Sequence, residues 1–229
     1  MTYNAVIFDL DGTLLDTLGD IANSMNRVLL DNRLPAHPVE RYRYFVGEGV
    51  RRLAQQALPE NSADDDLLNR CVKSFHEIYS QNWHATTQPY PGIPELLASL
   101  SGRPLKLAVL SNKPHDFTRL CVKRFFPDIR FHAITGNRQG VPPKPDPESA
   151  IQISESLNTP PERFIFTGDT AIDMKTAIGA GMFPVGVLWG FRSKEELVQN
   201  GAKALIGHPG ELLSIIDGTM TASDQENRP

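Results

Sequence analysis

Residues Ala5-Val6-Ile7-Phe8 form an unbroken apolar run that ends directly in Asp9-Leu10-Asp11-Gly12-Thr13. A short apolar run bounded by turn residues reads as a buried strand. This one delivers two carboxylates, separated by one residue, into a Gly-Thr turn. Carboxylates left unpaired at the end of a buried strand are costly, so the two need a partner. A hard divalent cation suits them, because Mg²⁺ takes oxygen ligands and uses one or two carboxylates together with substrate phosphate. The same two residues can also be read as caps of the turn and of the helix that follows.

Beyond this strand the chain divides into unequal parts. Leu18, Ile21, Met25, Val28 and Leu29 fall on one helical face, with Asp16 or Thr17 available as cap. Helical patterns, with no convincing strand, continue to about Trp83, with loops expected at Gly47-Glu48-Gly49 and at 59–62. A proline-rich stretch, Gln88-Pro89-Tyr90-Pro91-Gly92-Ile93-Pro94, marks a boundary. After it strands and helices alternate, with strands predicted at 105–110, 133–135, 164–167, 185–188 and 204–206 and a helix at about 147–157. Such alternation predicts an α/β fold with a Rossmann-like parallel sheet covered on both faces. The division is therefore an α/β core at 1–14 and 88–217, a helical insertion at 15–87 and a disordered tail at 218–229.

Composition narrows the function. A formal net charge of −4 in 229 residues disfavours a general nucleic-acid or anionic-membrane surface, so any anion must be drawn by local charge. Acidic residues interrupt the N-terminal region where a secretory signal would need an apolar stretch. No apolar run approaches the roughly 20 residues that span a bilayer. Cys71 and Cys121 form no CxxC pattern and read as packed thiols in a reducing compartment. A cytoplasmic protein is expected. His37, His76, His84, His115, His132 and His208 have no HxxxH or HExxH spacing, which argues against zinc. There is no P-loop and no GxGxxG.

A parallel sheet places its chemistry outside the carboxyl ends of its strands. Asp9 and Asp11, then Ser111 and Asn112, then Asp169 should therefore converge. Asp173 lies one helical turn beyond Asp169 if a helix begins there. Lys144 stands in Pro142-Pro143-Lys144-Pro145-Asp146-Pro147, held extended by its prolines. Taken singly, Ser111 and Asn112 could be turn formers, Asp169 a helix cap and Lys144 a surface lysine. In order along the chain, these residues resemble the signatures of a haloacid-dehalogenase-type hydrolase with a helical, C1-type cap, most closely the phosphoglycolate phosphatases.

That resemblance implies a division of labour. Asp9 is expected to attack phosphorus and form an aspartyl-phosphate, and Asp11 to act as general acid and then base. Mg²⁺ is expected on the Asp9 carboxylate, the Asp11 backbone carbonyl and Asp169, with Asp173 in support. Lys144, Ser111, Asn112 and Thr13 are expected to hold the phosphate oxygens.

The substrate is expected to be a small phosphorylated metabolite, 2-phosphoglycolate above others, hydrolysed under a lid formed by the insertion. Specificity is sought in Val46-Gly47-Glu48-Gly49-Val50-Arg51-Arg52, where Arg51 or Arg52 could fork onto a substrate carboxylate or simply be solvated. Lys113 is a further cationic candidate. Trp189, in Leu188-Trp189-Gly190-Phe191-Arg192, reads equally as a core-edge aromatic or a functional one. A β-phosphoglucomutase-like mutase, a pyrophosphatase or a nucleotidase shares the same signatures. A dehalogenase fits less well because Asp11 is present, and a catalytically idle phospho-ligand-binding regulator would have lost Asp9 or Asp11. The sequence leaves monomer or dimer open.

Overall fold

The computed structural model describes residues 3–59 and 64–219. Most of the loop expected at 59–62, and of the tail expected at 218–229, lies outside those residues. The elements in chain order are β1 (Ala5–Phe8), β2 (Leu15–Asp16), α1 (Leu18–Asp31), a 3₁₀ turn at Val39–Tyr44, α2 (Val50–Ala57), α3 (Asp65–Asn82), β3 (Gln88–Pro89) and α4 (Ile93–Ser101). There follow β4 (Lys106–Pro114), α5 (His115–Phe125), β5 (Ala133–Asn137), α6 (Glu148–Ser156), β6 (Phe164–Gly168), α7 (Ala171–Gly179), β7 (Phe183–Val187), α8 (Lys194–Gln199), β8 (Ala204–Ile206) and α9 (Glu211–Ile216).

Six strands form one parallel sheet in the order β5-β4-β1-β6-β7-β8. β1 is central, and the period-2 alternation of its side chains sets both faces. Ala5 and Ile7 join Ala108, Leu110, Phe164 and Phe166 under Ala150 and Ile153 of α6 and Ala177 of α7. Val6 and Phe8 join Leu107, Val109 and Ile165 under α4, α5 and α9. Removing a ring such as Phe8 or Phe166, each no more than 1% exposed, would cost about 3–5 kcal/mol.

Helix α1 buries the face its spacing predicts: Leu18, Ile21, Met25, Val28 and Leu29 are all buried. Thr17 takes the N-cap position, but it is Asp16 Oδ1 that accepts the Leu18 N–H, at 3.3 Å. Helices α1, α2 and α3 pack together and share one apolar cluster with the sheet. Asp64 caps α3 by accepting the Leu67 N–H.

Two short strands flank the helical insertion expected at 15–87: β2 opens it and β3 directly follows it. β2 and β3 pair antiparallel, Leu15 opposite Pro89 and Asp16 opposite Gln88, and so tie the start of the segment to its end. A two-residue ribbon has no periodicity to read. Beside it, the Asp20 carboxylate accepts the N–H and hydroxyl of both Thr86 and Thr87 at 2.7–2.9 Å, while only 2% exposed. That clamp fixes the first turn of α1 to the chain leaving α3.

Candidate active site

The end of β1 and the end of β6 are adjacent because the strands pair, Phe8 opposite Thr167, and Asp9 N–H continues the ladder to Thr167 O at 2.9 Å. Asp9 and Asp169 thus leave neighbouring strands side by side. Asp173 comes back toward them from the first turn of α7. Ligand oxygens of Asp9, Asp169 and Asp173 lie within 4.8 Å of one another, and all three residues are buried.

The spacing of Asp169 and Asp173 is not a helical one. α7 begins at Ala171 behind Thr170, so Asp169 belongs to the strand end. The helix-cap reading of Asp169 fails for the same reason. Asp173 Oδ2 instead accepts the Thr170 N–H at 3.0 Å and its hydroxyl at 2.7 Å.

Lys144 Nζ enters this acidic cluster. It stands 2.6 Å from Asp173 Oδ1 and 2.8 Å from Asp9 Oδ1, with its side chain 3% exposed. Burial opposes its charge, but the Asp173 and Asp9 carboxylates outweigh this and hold its pKa above the usual lysine range. Three carboxylates face one ammonium, and burial is expensive for charge that is not matched. Burial, then the Asp173 charge, push the Asp9 carboxyl up to about 7, against the pull of Lys144. Asp169 is raised well above the carboxylate range by burial and by Asp173 and Asp9; Phe191 N–H and Thr13 offset part of that. Asp9 Oδ1 has the ion pair but no hydrogen bond of good geometry. A buried cluster of three carboxylates, with more negative charge than its one ammonium offsets, fits a hard divalent cation.

Gly12 and Gly190 make room for Asp169. Gly12 has φ +89°, and a side chain there would sit 2.3 Å from Asp169 Oδ2; one at Gly190 would sit 2.2 Å from Asp169 Cβ. The backbone closes tightly enough for Phe191 N–H to donate to Asp169 Oδ2 at 2.8 Å.

Residues expected at the phosphate also make contacts within the protein. Thr13, 0% exposed, donates its hydroxyl to Asp169 Oδ1 at 3.0 Å and so steadies that carboxylate. Asn112 donates to Lys144 O at 2.9 Å and to Gly47 O at 2.8 Å, and accepts the Lys144 N–H at 2.8 Å. Its amide holds the lysine backbone and the helical segment's loop. Trp189 Nε1 donates to Thr13 O at 3.0 Å, pinning the turn after β1.

Ser111, Asn112 and Lys113 are not in a turn after β4 but on its irregular continuation. Pairing passes from Leu110 opposite Thr135 to Pro114 opposite Asn137, so the β4 side carries extra residues. Bulges of this kind re-aim side chains beside active sites. Here Ser111 and Lys113 both line the cleft.

Asp11 and Lys113 form the second charged pair. Lys113 Nζ lies 2.9 and 3.1 Å from the two Asp11 oxygens, the side chains being 4% and 12% exposed. Burial presses the Lys113 charge down, yet Asp11 and Tyr79 hold its pKa well above the usual lysine range. The Asp11 side chain therefore lies outside the acidic cluster.

A cleft joins Asp9, Asp11, Ser111, Lys113, Lys144 and Thr170 to a wall contributed by the helical segment. Arg51 and Arg52 do not line it. Both are exposed on α2, with Arg51 paired to Asp65 at 2.9 Å and to Asn69 at 2.7 Å, and Arg52 reaching Gln55 and Glu48. Helical phase decides this: Gly49, Val50 and Leu53 take the inward positions. Tyr79 and Thr170 also line the cleft, as does His76, which the sequence marks only as one of six histidines without zinc-site spacing. Thr170 was findable as the residue after Asp169; Tyr79 looks like any core aromatic on α3.

The model of the haloacid dehalogenase-like hydrolases matches residues 6–187. The chain belongs to the haloacid dehalogenase-like hydrolase family. It is 30% identical over 190 residues to a phosphoglycolate phosphatase of Pseudomonas putida, spanning 81% of this chain and 70% of that one. It is also 30% identical over 218 residues to an N-acetylmuramic acid 6-phosphate phosphatase of Pseudomonas aeruginosa, spanning 95% and 96%. A crystal structure from Lactobacillus delbrueckii subsp. bulgaricus, a presumptive phosphoglycolate phosphatase, superposes with a TM-score of 0.89 at 30% identity, covering 94% of this chain and 99% of that one. No helix among the described residues is long and apolar enough to cross a membrane. Cys71 and Cys121 are free and buried.

Proposed function

We propose that this chain is a Mg²⁺-dependent phosphomonoester hydrolase that works through an aspartyl-phosphate on Asp9, with 2-phosphoglycolate as its substrate. The observation that carries the reading is the Asp9–Lys144–Asp173 arrangement beside Asp169: a carboxylate aimed at the cleft, one ammonium, and a third acid to orient it.

Asp9 and Asp169 would hold the cation, with the Asp11 carbonyl as a further oxygen donor. When bound, Mg²⁺ would neutralise charge on the phosphoryl oxygens. Lys144 would share that task, placed by Asp173 through its ammonium and by Asn112 through its backbone. Asp9, freed of its proton, would attack phosphorus as the alcohol leaves. Asp11, two residues on and at the cleft, would give the proton to the leaving oxygen and take one from the hydrolytic water. Helices α1–α3 would act as the cap that excludes water, their loop held to the core by Asn112 on Gly47 O and by Arg192 on Val46 O.

The names of the relatives support 2-phosphoglycolate. A second reading, N-acetylmuramic acid 6-phosphate, is favoured by the near-complete overlap with the Pseudomonas aeruginosa phosphatase. A panel of phosphoesters assayed with Mg²⁺ decides between them. The proposal expects the highest kcat/KM on 2-phosphoglycolate; a preference for sugar phosphates, nucleotides or pyrophosphate rejects that substrate, and conversion of β-glucose 1-phosphate to glucose 6-phosphate would mark a mutase.

A further inference from the structure

With Arg51 and Arg52 turned to solvent, the carboxylate of such a substrate needs another reader. Tyr79 on α3 is 2% exposed and lines the cleft; its Oη meets no partner at full hydrogen-bond geometry among the described residues, while the Lys113 ammonium lies close enough to pull its pKa down against burial. A buried hydroxyl this incompletely satisfied asks for an explanation. Its ring is fixed in place, stacked on Phe75 at 5.2 Å and 11° and met edge-on by Phe117 at 5.3 Å.

Lys113 Nζ lies 4.9 Å from the centroid of that ring. An ammonium carries three donors, and at most two of these go to the Asp11 oxygens. The wall around the two is otherwise apolar on the helical side: Ile21, Val46, Val50, Leu53 and Phe75. His76 also reaches the cleft, but burial lowers its pKa, so it supplies no charge at neutral pH. Away from the acidic cluster and its Lys144, Lys113 is the cation that lines this cleft among the described residues. Apolar walls raise the strength of whatever charge–charge contact is made between them.

We propose that Tyr79 Oη and Lys113 Nζ form the leaving-group site, and that it takes the carboxylate of a short phosphorylated hydroxy acid. The proposal rests on the phosphatase reading above and assigns to a cap tyrosine and a core lysine the role expected of the arginines. The apolar residues would pack the carbon between phosphate and carboxylate, leaving little room for charge elsewhere on the substrate.

The test compares 2-phosphoglycolate with 2-hydroxyethyl phosphate, its analogue lacking the carboxylate, on the full-length protein with Mg²⁺. Tyr79→Phe should raise KM for 2-phosphoglycolate about tenfold with kcat little changed, narrowing the preference between the two substrates by about the same factor. Lys113→Gln should narrow it further. In the Asp9→Asn background, calorimetry should give the same loss of affinity without turnover. An unchanged preference in both variants, or no preference in the unaltered protein, overturns the proposal. If p-nitrophenyl phosphate is hydrolysed while no carboxylate preference exists, this inference falls alone; if no phosphoester is hydrolysed, the phosphatase reading falls with it.

Discussion

At the carboxyl ends of β1, β4 and β6, the groups that face the cleft sit within a few residues of a strand terminus: Asp9, Asp11, Ser111, Lys113 and Thr170. On the helices above, the cleft-facing groups are spread over a long stretch of chain, from Ile21 through Leu53 to Tyr79. In the sheet, position along the chain nearly dictates position in space, because strand pairing sets register and the termini align. On the helices, a shift of one residue turns a side chain by about 100°, so neighbours such as Val50 and Arg51 face cleft and solvent respectively. Reaction chemistry is thereby written locally, and substrate recognition is written in packing.

The largest expected effect belongs to the sheet side. Asp9→Asn should lower kcat by about four orders of magnitude or more while the fold persists, since the amide keeps the size of the carboxyl. Residual activity near that of the unaltered protein would move the nucleophile elsewhere. Lys144→Met should cost on the order of 10²–10³-fold in kcat, with Asp173→Asn reproducing part of that loss because it releases the same ammonium. A Lys144 loss with no matching Asp173 effect would separate the two groups.

How much of this was legible in the sequence follows the same divide. The parallel sheet, its strand order of appearance and the convergence of Asp9, Asp11, Ser111 and Asp169 could be read from apolar runs ending in polar residues. Lys144 was readable only through its proline-held setting and the family resemblance, since nothing local announces a lysine that is 3% exposed. The contacts that Thr13 and Asn112 make within the protein, to Asp169, Lys144 and Gly47, have no signal in the sequence, because a hydroxyl or an amide hydrogen-bonds whatever the fold brings nearest. The β2–β3 ribbon and the Asp20 clamp were invisible: each joins residues far apart in the chain, with no period to mark them. Arg51 and Arg52 were chosen for charge, and charge is what helices put outward.

On the helical side the expected effects are smaller. Asp20→Ala strands the donors of Thr86 and buried Thr87, and should destabilise the protein by about 3 kcal/mol. Thermal unfolding checks it; a change below about 1 kcal/mol would remove the clamp from the account. Arg51→Ala should shift stability by less than about 1 kcal/mol and leave kcat/KM for 2-phosphoglycolate within about twofold, because its pair with Asp65 is 57% and 86% exposed. A large KM effect there would return specificity to the arginines.

The acidic cluster also predicts a dependence on pH. Folding raises the Asp9 carboxyl from 3.8 to about 7, so the folded state keeps a proton that the unfolded state has released. In metal-free protein this contribution to stability is full below about pH 4 and is lost as pH rises through about 7. Mg²⁺ must displace that proton, so its stabilising shift in Tm should be greater at about pH 8 than at about pH 6. An equal shift at both would mean that Asp9 is not among the groups the cation displaces protons from.

The claim on which the rest depends is that Asp9 carries the phosphoryl group. Protein quenched in acid during turnover of 2-phosphoglycolate or p-nitrophenyl phosphate, reduced with borohydride and digested, should yield homoserine at position 9, since an acyl-phosphate is reduced to the alcohol and a free carboxylate is not. Homoserine at position 9, absent without substrate, is the result predicted. Turnover with position 9 recovered only as aspartate, or with the modification on another residue, would contradict it.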